Sequence, residues 1–203
     1  QRQMCIRDRL ETAYTAAEQP WQQSGVGLHT PRTAADWATL RRPIADSMTH
    51  GGTWLDIGCA NGYLIECVMQ WTAKRGIVLT PYGLDISEKL VDLARQRLPQ
   101  YADHLFVGNA WDWSPPRRFD HVRTELEYVP EHLRQRYVAR LLAEFIVPRG
   151  ILLVAEYGSS RDPRDHLTID QDLQKMGFAV AGYRSGILNG KEMTRVALIE
   201  QET

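Results

Sequence analysis

Two carboxylates, two glycines and an amide, each at or beside the end of an apolar run, are the residues of this chain best placed to do chemistry. Asp56, Gly58 and Gly62 lie in WLDIGCANGYL (Trp54 to Leu64), where an apolar run stops at Gly58 and an amphipathic segment opens behind Gly62. That order reads as strand, tight turn and helix start, and the first free N–H groups of such a helix point at whatever sits above the turn. Glycine keeps side chains clear of a ligand there and adopts a positive φ without strain. Ala60 and Tyr63 occupy the positions where a dinucleotide-binding G-x-G-x-x-G places its second and third glycines, which argues against a pyrophosphate. No G-x-x-x-x-G-K-[ST] occurs for a triphosphate. Asp56 would repel a phosphate but suit an ammonium group. Asp85, closing the next apolar run in YGLDIS, is placed to accept both hydroxyls of a ribose. The ligand so described has an amino-acid head and a ribose, and no phosphate.

S-adenosylmethionine has that composition, and at these residues the sequence resembles the class I methyltransferases. Their glycine loop commonly reads D-x-G-C-x-x-G, matched here by Asp56, Gly58, Cys59 and Gly62, and the resemblance covers most of the chain from about Thr53 onward. It implies a Rossmann-like fold, S-adenosylmethionine as cofactor and methyl transfer that leaves S-adenosylhomocysteine. The implied cofactor site draws on Asp56, Gly58, Cys59, Ala60 and Gly62, on Asp85 and Ile86, and on Asn109, Ala110 and Trp111. Where the family often has an Asp in a G-D-A context this chain has Asn109, whose amide both donates and accepts and so suits an adenine edge. Trp111 either covers the adenine or packs beneath its loop.

The acceptor side is read from the tip of the fourth apolar run, RTELEYVP (Arg123 to Pro130), because ligands of open α/β sheets lie beyond the carboxyl ends of the strands. Glu125 and Tyr128 are the candidate catalytic residues, with Arg123 and Glu127 behind them. Glu125 is a general base, a group that orients a hydroxyl or amine, or a cap or salt-bridge partner. Tyr128 would line the pocket. No N/D-P-P-Y and no Pro-Cys pair follows this strand, so the signals for nucleobase methylation are missing and a small-molecule acceptor is expected. Oxygen, nitrogen, sulfur and carbon acceptors all stay open.

The elements that must position these residues alternate. A helical face runs from Thr33 to Met48, with Arg41 and Arg42 assigned to its solvated side. Next come a strand before Gly58, a helix to about Lys74, a strand over Ile77 to Leu84, and a helix capped by Ser87 through Leu98. Strands over Leu105 to Val107 and from Phe119 follow, then a helix over Glu131 to Ile146. Arg134, Arg136 and Arg140 on that helix read as a solvated face in preference to a phosphate-binding row. Ile151 to Tyr157, a helix over about Pro163 to Lys175, and paired strands Phe178 to Tyr183 and Met193 to Ile199 complete the pattern. It predicts an α/β doubly wound, mostly parallel seven-stranded sheet with an antiparallel last strand and helices on both faces.

Length and composition narrow the rest. The 203 residues make one domain, and a net charge of −1 gives no global footprint for nucleic acid or an anionic membrane. No run reaches the roughly 20 apolar residues of a membrane span. Three cysteines, Cys5, Cys59 and Cys67, do not make a disulfide framework, so a cytoplasmic setting is expected. The six histidines show no ligand-like spacing, and no metal is expected. Residues 1–9 read as a cloning or sequence-assembly scar, 10–50 as an N-terminal helical lid in which Trp21 either covers the cofactor or packs the leading helix, and 51–203 as the core. The competing functions are a catalytically silent cofactor-binding or partner protein on the same fold and, less favoured, a nucleotide-dependent oxidoreductase. The oligomeric state is open.

Overall fold

The apolar run before the glycine turn forms β1, Gly52–Ile57, an interior strand of a seven-stranded sheet. The computed structural model describes residues 11, 12, 14, 18–22, 33–159, 164 and 166–202. Residues 1–9, read from the sequence as a scar, most of the leading segment and Pro163 lie outside the described residues.

The other strands are β2 (Leu79–Asp85), β3 (Leu105–Val107), β4 (Phe119–Glu125), β5 (Ile146–Tyr157), β6 (Gly182–Leu188) and β7 (Lys191–Glu200). They lie in the order β3-β2-β1-β4-β5-β7-β6. Pairing is parallel from β3 through β5, and β7 runs antiparallel to both β5 and β6. The predicted fold class is therefore the observed one.

Side chains alternate across the sheet as the pleat requires. Leu55 and Ile57 of β1, Val122 of β4 and Leu152 and Val154 of β5 pack into a core with Tyr137, Leu141 and Leu173. Trp54, Leu153 and Ala155 face the opposite core with Ile44, Val68 and Val91. The second layer consists of α1 (Ala34–Asp46), α2 (Tyr63–Ala73) and α3 (Glu88–Arg97), and the first of α4 (Arg134–Arg140) and α5 (Ile169–Lys175). Thr33 caps α1, its Oγ1 accepting from Asp36 N at 3.1 Å, and Ser87 caps α3, accepting from Leu90 N at 3.3 Å. Asn189 and Gly190, with φ of 53° and 79°, close the β6–β7 hairpin as a two-residue turn with the twist such hairpins favour. Among the described residues, no helix is long and apolar enough to cross a membrane.

Several elements differ from expectation. The helix predicted over Glu131 to Ile146 is broken into a 3-10 turn, Glu131–Leu133, then α4, then a wide π-type turn over Leu141–Phe145. The fifth strand begins at Ile146, ahead of the predicted Ile151, because Ile146 pairs with Phe119 before a register shift. That shift absorbs Arg149, whose φ is 64°. The last helix begins at Ile169, and β6 begins at Gly182 instead of Phe178.

Of the arginines expected on solvated faces, Arg42 and Arg136 are exposed, whereas Arg41, Arg134 and Arg140 are drawn into the fold. Arg41 is 5% exposed and lies over the Tyr157 ring at 3.8 Å. Arg134 donates from Nε to Leu126 O at 3.2 Å, and Arg136 lies 5.6 Å from the Trp111 ring centre. Arg140 donates to Trp111 O at 2.6 Å and to Trp113 O at 2.7 Å, tying down the loop that follows β3. A charged donor to a carbonyl contributes about 1.5–3 kcal/mol. Arg140→Ala is therefore expected to lower unfolding free energy by about 2 kcal/mol in a urea titration. Arg140→Lys would recover little of it, since an ammonium cannot reproduce the fork. A loss within 0.5 kcal/mol of zero, about the range of an ordinary surface change, would remove this role.

Candidate functional site

The glycine loop turns over the carboxyl end of β1. Gly58 N and Cys59 N both donate to Leu84 O, at 2.7 and 3.1 Å, so the turn is fastened to β2 as soon as β1 ends. Gly58 has φ of 79°, and Gly62, at φ 74°, caps α2. Ala60, at φ 47°, holds the left-handed conformation without being glycine. Its N–H is captured by Asp85 Oδ2 at 2.9 Å. The other oxygen of Asp85 accepts from Ser87 N at 2.9 Å, and its carbonyl accepts from Gly108 N at 2.9 Å. Asp85 thus joins the glycine loop, the start of α3 and the loop after β3. Burial pushes its carboxyl pKa up, while the amide hydrogen bonds pull it back. Asn109 fixes the third wall by accepting from Trp111 N on Oδ1 at 2.9 Å and from Trp113 N on its carbonyl at 2.9 Å.

These loops enclose a cleft of about 260 Å³. Of the predicted cofactor residues, Gly58 and Ala60 line it from the first loop, Asp85 and Ile86 from the second, and Asn109 and Ala110 from the third. Tyr128 lines it from the acceptor side. The remaining predicted residues are placed elsewhere. Cys59 is buried with its thiol under Gly83, and burial raises that thiol's pKa. Gly62 lies against Ala94, where a Cβ would come within 3.0 Å. Trp111 packs on the core beneath its loop and is not among the residues that line the cleft. The lining also includes polar residues outside the predicted site, among them Tyr14, Ser87 and Glu127. Tyr14 belongs to the leading segment, and neighbouring Glu11 accepts from Ser87 Oγ at 2.7 Å. Trp21 is partly buried and does not line the cleft.

Asp56 lies beneath the cleft, fully buried, in a charge cluster centred on Arg123. Arg123 donates from one terminal nitrogen to Asp56 Oδ1 at 3.3 Å, Ile57 O at 3.2 Å and the Tyr128 hydroxyl at 3.2 Å. The other bonds Glu125 and the Tyr157 hydroxyl, the latter at 2.9 Å. Burial pushes the Asp56 carboxyl up to about 6 against the pull of Arg123. Burial also holds the Tyr128 phenol well above its ordinary value, so it stays protonated and donates to Glu125 at 2.9 Å. Glu125 is therefore held on Oε1 by both Arg123 and Tyr128, and it borders a second cavity and not the cleft. Among the described residues, no group of His, Cys, Asp and Glu could hold a metal ion.

No protein-family model matches the chain. A malonyl-[acyl-carrier protein] O-methyltransferase of Priestia megaterium is 23% identical over 124 residues, 61% of this chain and 43% of that protein. The chain thus matches less than half the length of this curated relative. The magnesium protoporphyrin IX methyltransferase of Synechocystis, solved with S-adenosylmethionine bound, superposes with a TM-score of 0.60 at 17% identity, over 97% of this chain and 91% of that one. The [4+2]-cyclase SpnF gives 0.64 at 14% identity, over 98% and 94%. The fold is that of the class I methyltransferases. In the class I methyltransferase fold the strand order reverses between β1 and β4, and the cleft lies at the carboxyl ends beside that switch point, where open α/β sheets bind their ligands.

Proposed function

We propose that this protein is an S-adenosylmethionine-dependent methyltransferase acting on a small-molecule acceptor. The observation that carries this reading is the charge of the cleft: its described lining includes Asp85 and Glu127 and no Lys, Arg or His. A pyrophosphate or triphosphate entering there would meet two carboxylates and no cationic side chain, whereas the ammonium of an amino-acid head and the hydroxyls of a ribose would find acids to bind. The same charge disfavours the oxidoreductase alternative. When bound, S-adenosylmethionine supplies an activated methyl on a sulfonium leaving group. Asp85 would accept the ribose hydroxyls while keeping its bonds to Ala60 and Ser87, and Asn109 and Ala110 would meet the adenine. Tyr14 at the cleft and Glu11 on Ser87 favour the leading segment as a lid. Asp56, sealed by Arg123, would act on the cofactor's ammonium only through the field it adds beneath the loop. The free thiols Cys59 and Cys67 favour a cytoplasmic setting.

Calorimetric titration with S-adenosylmethionine, S-adenosylhomocysteine and NADH tests the reading. Micromolar binding of the two sulfur ligands, and none of NADH, is expected. Asp85→Ala is expected to weaken that binding at least about tenfold, since one lost hydrogen bond to a charged group exceeds the 1.4 kcal/mol of a tenfold change. Absence of sulfur-ligand binding to folded protein would overturn the proposal. Binding without turnover across a broad acceptor panel would point to the silent cofactor-binding protein.

A further inference from the structure

A second cavity, of about 340 Å³, opens at the tips of β4 and β5 and shares Glu127 with the first cleft. Its chemistry depends on which of its acids are already neutralised. Glu125 is held by Arg123 and Tyr128. Glu156 accepts from Thr168 N and Ile169 N at 2.8 and 2.9 Å and pairs with Arg164 at 2.9 Å, so it serves the start of α5. Asp172 pairs with Lys175 at 3.1 Å. Two lining carboxylates, Glu127 and Glu131, have no hydrogen bond or ion pair among the described residues. Arg134, with Nε committed to the Leu126 carbonyl, offsets them only in part.

Glu127 is the group that faces both spaces. The 3-10 turn Leu126–Tyr128 turns consecutive residues in different directions, so that Tyr128 borders the first cleft, Leu126 the second and Glu127 both. A molecule seated in the second cavity would therefore meet an uncommitted carboxylate at the junction with the first. Apolar Leu126, Ala155, Ile169 and Met176 would cover the rest of it.

Resting on the methyltransferase reading above, we infer that the second cavity receives a methyl acceptor bearing an amine, with Glu127 as the carboxylate that binds its nitrogen. Partial burial and the neighbouring Glu125 push the Glu127 pKa up, which makes this carboxylate the better proton acceptor. An ammonium bound at Glu127 gives one proton to the carboxylate. The freed lone pair forms the nitrogen–carbon bond to the methyl as the carbon–sulfur bond breaks, and the bonding pair stays with sulfur. A hydroxyl or carboxylate acceptor of the same shape gains nothing from this charge, and a carboxylate is repelled.

The test uses the whole protein, free and saturated with S-adenosylhomocysteine, titrated with 2-phenylethylamine, cyclohexylamine and putrescine, each beside its hydroxyl analogue. At least one amine is expected to bind at least tenfold more tightly than its hydroxyl analogue. In Glu127→Gln that preference is expected to disappear with melting temperature unchanged, and in Glu127→Asp to persist in part. Equal or tighter binding of the hydroxyl compounds, no amine binding, or an amine preference that survives Glu127→Gln would overturn the inference. The two readings fail separately. Amine discrimination without S-adenosylhomocysteine binding would leave the cavity's preference standing and sink the methyltransferase, and the reverse pattern would sink only the amine.

Discussion

Arg123→Met is expected to lose about 3–5 kcal/mol of unfolding free energy at pH 7.5, the usual cost of removing one member of a buried ion pair. Typical domains have only about 5–15 kcal/mol in all, so the variant would be marginal. Arg123 is 2% exposed and Asp56 is 0% exposed, so a carboxylate left without Arg123 has no access to water. The pair is already imperfect, since Asp56 Oδ2 and Arg123 Nε are buried without partners among the described residues. The pH dependence follows from the raised Asp56 pKa. A carboxyl that titrates near 6 folded and near 3.8 unfolded contributes stability that is full below 3.8 and is lost as pH climbs through 6. Without Arg123 its folded value moves higher still. The gap between wild type and variant is therefore expected to narrow at pH 5, where Asp56 is largely protonated in both. Urea titrations at pH 5 and 7.5 measure this, and Arg123→Met/Asp56→Asn should regain much of the loss. A gap that is small, or the same at both pH values, would show that the pair does not hold the sheet tips together.

Gly58→Ala is expected to have the second largest effect. A Cβ on Gly58 would lie 2.1 Å from the Tyr128 hydroxyl oxygen and 2.4 Å from Cζ, at a φ of 79°. The left-handed backbone alone costs a non-glycine residue about 1–2 kcal/mol, and overpacking adds about 1–3 kcal/mol. Tyr128 cannot withdraw freely, because Glu125 and Arg123 hold its hydroxyl. About 3 kcal/mol of stability is expected to go, with at least tenfold of affinity for S-adenosylhomocysteine, since the methyl sits at the edge of the cleft. Gly58→Ala/Tyr128→Ala separates the two causes: it should remove the clash and leave the backbone strain, so the two changes should be non-additive in a thermal-melt cycle. Simple additivity would mean that Tyr128 does not set the requirement for glycine.

The parts of this molecule that were legible in its sequence are those governed by local periodicity. β1, α2, β2 and α3 follow from alternating or helical apolar spacing and from caps such as Ser87, and they fix the cleft because Asp85 and Gly58 sit at their ends. What was not legible depends on partners far away in sequence. Arg41 and Arg140 occupy helix positions that read as solvated, yet Arg41 is buried against Tyr157 and Arg140 is half-buried against the loop carrying Trp111 and Trp113. Asp56 reads as a ligand group until Arg123, 67 residues on, is seen to cover it. The choice between Glu125 and Glu127 turned on one 3-10 turn after β4, since a single residue of extra rotation decides which carboxylate meets the cleft.

The antiparallel strand β7 also constrains the order in which the chain can be completed during synthesis. It lies between β5 and β6, pairing Ile151 through Tyr157 on one side and Gly182 through Leu188 on the other. Until Lys191–Glu200 has emerged, β5 presents an unpaired apolar edge, and β6 has no strand beside it. That edge is the sort of surface on which nascent chains pair with one another. The ten residues of β7 therefore do more than extend the sheet: they are a late closure, and growing chains halted before them would be the species most prone to aggregate.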